Sequence, residues 1–175
     1  LIIGSSLSVK GTLIARGTPS SPILFTSNQA TPAPGDWVGI EFRDGSQPES
    51  ILEHCVVEYA GQVGGGGVTV VRTQPTIRNS TMRQNAGSGF VIYNDSAPFV
   101  EGNAFLNNHA NAVEAPSPVG TTNFGFGNTA TGNGTNVIKW TSGWTTENAT
   151  VKATGIPYLA AADMIIRDGA ILTIE

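Results

Sequence analysis

The sequence predicts an all-β chain wound as a parallel β-helix (a β-solenoid), and three observations carry that expectation. Apolar and polar residues alternate over short runs, with no helical period. Gly, Pro, Asn and Ser break those runs every few residues. Segments of about 22 to 25 residues then repeat in register along the middle of the chain.

The runs that read as strands are, in order, SLSV, GTLIA, PILFTS, WVGIEF, GVTVV, GFVIY and AILTI. Each puts alternate side chains on one face, as a half-buried strand requires. The stretch VGGGGV (Val63 to Val68) has the composition of a phosphate loop but lacks the following Lys-Ser/Thr and the helix behind it. It reads instead as a flexible turn replacing a tight corner.

ESILEHCVVEYAG, QPTIRNSTMRQNAG and APFVEGNAFLNNHA align with one another. In that register Leu52, Ile77 and Val100 correspond, as do Cys55, Ser80 and Asn103, then Val57, Met82 and Phe105. Asn85 falls on Asn108, and Val68, Phe90 and Ala112 form the next row. In a parallel β-helix such rows stack about 4.8 Å apart along the axis. Asn85 over Asn108 then forms an internal amide ladder at a coil corner, each amide bonding to the next coil. A leucine-rich repeat would need a Leu-x-x-Leu-x-Leu frame, which is missing, and a Greek-key sandwich would not keep this register.

Composition bounds the function. Charged residues make up 13% of 175 and the net charge is −4, so no basic cluster is available for nucleic acid or an anionic membrane surface. No apolar run approaches the roughly 18 residues of a membrane span. No signal peptide is visible, though the sequence opens without Met and in mid-pattern. The single Cys55, set in LEHCVVEY, has neither a disulfide partner nor zinc spacing and reads as a buried, inert thiol.

The stretches SLSVKGTLIARGTPSSPILFTSN, GDWVGIEF, LEHCVVEYAG and GIPYLAAADMIIRDGAILTIE make the resemblance specific. The chain resembles the right-handed parallel β-helix repeat proteins of bacterial cell surfaces and secretions, over essentially its whole length. The resemblance implies a right-handed coil and an extracellular or cell-surface setting, and it leaves activity open, since one fold hosts many functions.

Candidate chemistry is sparse. A β-helix hydrolase would need carboxylates converging at roughly 5 to 9.5 Å. Glu53 faces Arg78, which faces Glu101, and Glu58 faces Arg83; these outward rows read as structural charge ladders, with Arg78 keeping its carboxylates ionised. Asp36, Trp37, Glu41 and Asp44 in GDWVGIEFRDG make the most site-like patch, because an exposed Trp is a natural surface for a sugar ring. The competing account is a turn in which Asp36 bonds backbone amides and Trp37 covers a corner. His54 and His109 fall at different register positions. No catalytic residue, metal ligand or cofactor is assigned. Asn79, Asn94, Asn133 and Asn148 begin Asn-x-Ser/Thr sequons in a chain rich in those residues.

Division by a coil of about 22 residues predicts seven or eight coils in one domain spanning residues 1–175, a rod roughly 35 Å long. Neither terminus shows an amphipathic capping helix, so Leu1, Ile2 and Ile3 at one end and Ile171, Leu172, Thr173 and Ile174 at the other are expected to be self-association edges. GSSLSVK near the start and GAILTIE at the end share one template, as if the last coil could precede the first. The expected function is a non-enzymatic extracellular structural module, part of a surface fibre, stalk or adhesin. Its partners would be copies of itself or adjacent β-helix modules, with no nucleic acid and no membrane insertion. The alternative is a carbohydrate-binding or polysaccharide-cleaving β-helix whose glycan would sit on the Trp37 patch.

Overall fold

A computed structural model describes residues 5–93, 96–142 and 144–175. The chain winds as a parallel β-solenoid with three faces. The first turn lays down β1 (Ser6–Val9), β2 (Ile14–Arg16) and β3 (Ile23–Phe25), and the second β4 (Gly39–Phe42), β5 (Ile51–Glu53) and β6 (Cys55–Glu58). The third carries β7 (Val68–Val71), β8 (Thr76–Arg78) and β9 (Thr81–Arg83), and the fourth β10 (Phe90–Tyr93), β11 (Phe99–Glu101) and β12 (Ala104–Leu106). The fifth has β13 (Asn111–Ala115) and β14 (Thr129–Thr131), with a short 3-10 turn at Pro118–Thr121 between them. Beyond it come β15 (Thr135–Trp140), β16 (Trp144–Thr145) and β17 (Ala149–Val151), then β18 (Tyr158–Ala160), β19 (Ile165–Ile166) and β20 (Leu172–Ile174).

The first face is a seven-stranded sheet, β1-β4-β7-β10-β13-β15-β18. The second face stacks four strands, β2-β5-β8-β11, and the third stacks five, β3-β6-β9-β12-β14, before β16–β19 and β17–β20 pair off separately. About five turns are therefore stacked continuously, fewer than the seven or eight expected. The reason is uneven turn length. Ser6 pairs with Gly39, 33 residues on, whereas Val68 pairs with Phe90, 22 residues on.

Stacked rows fill the interior. Leu52, Ile77 and Val100 form one fully buried row, and Val57, Met82 and Phe105 another. Each such side chain contributes roughly 1.5–3 kcal/mol by leaving water. One expected row is displaced. Phe90 pairs with Val113, not Ala112, because both Phe90 and Val113 lie five residues beyond a ladder asparagine.

The corners repeat as well. His54 and Asn79 adopt positive φ, and Gly102 and Gly127 occupy the same corner in later turns. Tyr59, Gln84, Asn107 and Gly132 do so at a second corner. In both series the next residue turns inward as a ladder member. The first ladder runs from the Cys55 N–H to Ser80 Oγ (3.0 Å), from the Ser80 N–H to Asn103 Oδ1 (2.9 Å) and from the Asn103 N–H to Asn128 Oδ1 (3.0 Å). The second runs through Ala60, Asn85, Asn108 and Asn133, and Asn136 Oδ1 closes it by accepting from the Asn133 side chain at 2.9 Å.

The glycine-rich segment is no slack connection. Gln62–Gly64 forms a 3-10 turn, and Gly87 of the next turn packs so closely that a Cβ there would fall on the Gly65 carbonyl oxygen.

Candidate functional site

The Asp36 patch is built as a turn. Asp36 accepts hydrogen bonds through Oδ2 from the Ser27 hydroxyl and from the Ala33 N–H at 2.9 Å. These bonds, the Ser27 one foremost, hold its carboxyl below the usual range. Trp37, expected as an exposed sugar platform, is fully buried. Its indole N–H donates to the Glu58 carbonyl at 2.8 Å, which pins the corner of the second turn. The indole is an interior strut, since a Trp buried with its polar tip satisfied contributes more here than it could at the surface.

Glu41 and Asp44 are separated from that corner. Glu41 points outward from β4 and pairs with Arg43 at 2.7 Å, while Asp44 is exposed beside Arg72 at 3.9 Å. Glu41 and Arg43 line an open groove of about 410 Å³ on the first face, with Thr69, Gln62 and Tyr93. The four expected residues therefore do not converge on one ligand.

The charge rows keep the expected register, with two differences. Arg78 bonds to Glu53 at 2.8 Å, which holds the Glu53 carboxyl below its usual range, and Arg16 adds a longer contact at 3.7 Å. Glu101 stands across from Arg78 in the pairing, but the guanidinium turns to Glu53. Glu58, expected to face outward, is buried. Arg83 Nε and Nη2 grip its Oε2 at 2.7 and 2.6 Å, and the Thr26 hydroxyl donates to Oε1 at 2.8 Å. Among the described residues, no three of His, Cys, Asp and Glu gather where they could hold a metal ion. No helix among them is long and apolar enough to cross a membrane.

Of the sequon asparagines, Asn79 and Asn148 are exposed, and Asn133 is committed to the ladder. Asn94 lies outside the described residues.

The expected edges fall into two groups. Leu1, Ile2 and Ile3 lie outside the described residues. At the other end Leu172 is half-buried, while Ile171, Thr173 and Ile174 are exposed, Ile174 to 73%. Ile165 and Ile166 of β19 and Leu159 of β18 are also exposed and extend the apolar surface. The sequence reading missed these three, although IPYL and MII were visible as apolar groups near the end. Among the described residues β18, β19 and β20 each have a strand neighbour on one side only. A cavity of about 320 Å³ in this last turn is lined by Val151, Ile156, Tyr158 and Ile174, among others. At the opposite end β1, β2 and β3 likewise pair on one side only among the described residues.

Three parallel faces, corner ladders and a stacked apolar interior define a parallel β-solenoid. The chain belongs to the right-handed β-helix family: the family described as "Right handed beta helix region" matches residues 4–154. Neither the curated proteins nor the solved structures contain a match to it.

Proposed function

We propose that this chain is a non-enzymatic structural module of an extracellular or cell-surface fibre, stalk or adhesin, joined end to end with further β-solenoid coils. The observation that carries the reading is the last turn. It combines three strand edges open on one side with the exposed apolar side chains of Leu159, Ile165, Ile166, Ile171 and Ile174. Open edges with apolar flanks pair readily with other strands. The first turn presents three edges of the same parallel sense, so head-to-tail addition would continue all three faces. Such a heterologous contact repeats without closing.

Analytical ultracentrifugation of the 175-residue chain across a concentration series, with electron microscopy of the concentrated sample, tests this. Elongated species that grow with concentration are expected, and Ile165→Lys with Ile174→Lys should suppress them. A chain that stays monomeric throughout, or assemblies indifferent to those lysines, would overturn the reading.

A further inference from the structure

We propose that the second face pairs with the same face of another copy of this chain, the two solenoids lying side by side and antiparallel. Strands β2, β5, β8 and β11 make that face, and alternation sends their first and third residues outward. The third positions stack as Arg16, Glu53, Arg78 and Glu101, so the charge alternates in sign along the axis. The first positions stack as Ile14, Ile51, Thr76 and Phe99. The two ends of this row are exposed, Ile14 to 62% and Phe99 to 43%. Large apolar side chains thus stand at both ends of one row, and opposite charges at the two ends of the other.

This pattern is its own complement under one symmetry operation. A two-fold axis running along the strands, between β5 and β8, turns each row end for end. Arg16 then meets Glu101 of the partner subunit, Glu53 meets Arg78 of the partner subunit, and Ile14 meets Phe99 of the partner subunit. Both copies share a spacing of about 4.8 Å between turns, so all these contacts fall into register together. Such an isologous interface closes at two. An axis along the solenoid would instead set each charge of the row against its own kind, which like-charge repulsion disfavours. The third face lacks the property. Its outward row runs Glu58, Arg83, Leu106 and Thr131, and turning it end for end sets Glu58 against a threonine.

Within one chain the charged row is unbalanced at its ends. Arg78 turns to Glu53 at 2.8 Å, and Arg16 keeps only a 3.7 Å contact with the same carboxylate. Glu101 is exposed and joins no ion pair among the described residues. Its side chain lies over Gly125 of the following turn, where an added Cβ would fall 3.1 Å from Glu101 Cγ. A glycine offers no charge in return. The row therefore ends on an unpaired carboxylate at one side and a loosely held guanidinium at the other, and the joint supplies each with the other. Four three-residue strands make a patch of about 10 by 19 Å. That is smaller than the roughly 800 Å² per partner of a standard interface, so the pairing is weak and needs concentrated protein.

Sedimentation equilibrium at millimolar protein and about 0.15 M salt tests the proposal, since a Debye length of about 8 Å screens the net charge but not contacts across the joint. The parent chain should show an association that stops at dimers. Arg16→Glu and Glu101→Arg should each weaken it about ten-fold or more, because either change sets like charges together at both ends of the joint. Mixing these two variants should restore association, since residues 16 and 101 then carry opposite charges across both contacts. Ile14→Lys, outside the charged row, should also weaken the dimer, and it carries the test should a charge reversal unfold the chain. Circular dichroism establishes that each variant is folded. The proposal is overturned by a parent chain without dimers at that concentration, by folded variants that associate like the parent, or by a mixture no more associated than its components. It stands apart from end-to-end joining: Ile165→Lys with Ile174→Lys should leave these dimers intact.

Discussion

Asn108 lies directly across from Asn85 in the next turn, and its Oδ1 accepts from both the Asn85 backbone N–H (3.2 Å) and the Asn85 side-chain amide (2.8 Å). The Asn108 amide in turn donates to the Met82 carbonyl at 3.0 Å and to Asn133 Oδ1 at 2.8 Å. One side chain thus satisfies polar groups in three successive turns, buried except at the half-buried Asn133. Asn108→Ala strands the buried Asn85 backbone N–H. The Asn85 amide keeps the Val57 carbonyl, and Asn133 Oδ1 keeps the backbone N–H of residue 108. An unsatisfied buried group costs about 1–3 kcal/mol, and a loss of that size is expected. Asn133→Ala should cost less, because water reaches that half-buried corner. Urea unfolding midpoints decide the matter, and equal losses in the two variants would contradict the ladder account.

The charged rows should divide by burial. Arg83→Ala leaves the Glu58 carboxylate, 7% exposed, with only the Thr26 hydroxyl. A loss of about 1–3 kcal/mol is expected. Arg16→Ala removes a 3.7 Å contact from an arginine side chain that is 60% exposed, and should cost under about 1 kcal/mol. Glu53, held ionised chiefly by its hydrogen bond to Arg78, adds a pH signature. Its contribution is present above the usual carboxylate range and is lost as pH falls through its lowered folded value. Thermal melts of Glu53→Gln and the parent should therefore converge in acid.

Much of this was legible because a solenoid writes its geometry into the sequence. Leu52, Ile77 and Val100 announced a stacked row, and Asn85 with Asn108 announced a ladder. The other ladder left a signal too. Gly-Asn pairs at 102–103 and 127–128 mark a corner glycine followed by an inward amide. What alternation alone could not reveal is what covers an outward residue. Thr69 and Val91 are buried though they pair in the same row as outward Glu41. The Gly66 backbone packs against Val91 there. Trp37, expected at the surface, is buried for the same reason: the turn that covers it depends on loops of irregular length.

The glycines give a sharper test of that loop. Gly87→Ala would drive a methyl group into the Gly65 carbonyl oxygen, backbone against backbone. Overpacking of this kind costs about 1–3 kcal/mol. Gly11→Ala meets nothing within 4 Å and needs no left-handed φ, so it should stabilise by about 0.4–1 kcal/mol through the unfolded chain. Paired melting curves would show shifts of opposite sign. Two equal losses would mean that close approach is not what selects glycine at position 87.

Cys55 closes the argument about interior chemistry. The thiol is buried, with the Ala15 and Glu53 carbonyls at 3.5 and 3.4 Å from Sγ, and burial pushes its pKa up to about 11. A thiol at that value is almost wholly protonated at pH 8 and is shielded from reagents. A disulfide reagent at pH 8 should leave the native protein unmodified and label one thiol per chain in urea. The same shift predicts an alkaline weakness. The unfolded thiol ionises from about pH 8.5, so the stability present below that value is lost as pH rises toward the folded value. Cys55→Ala should flatten this decline relative to the parent in unfolding curves between those limits. Fast labelling of the native chain at pH 8 would show that Cys55 is reached by solvent, and that the stacked interior is looser at this corner than its packing indicates.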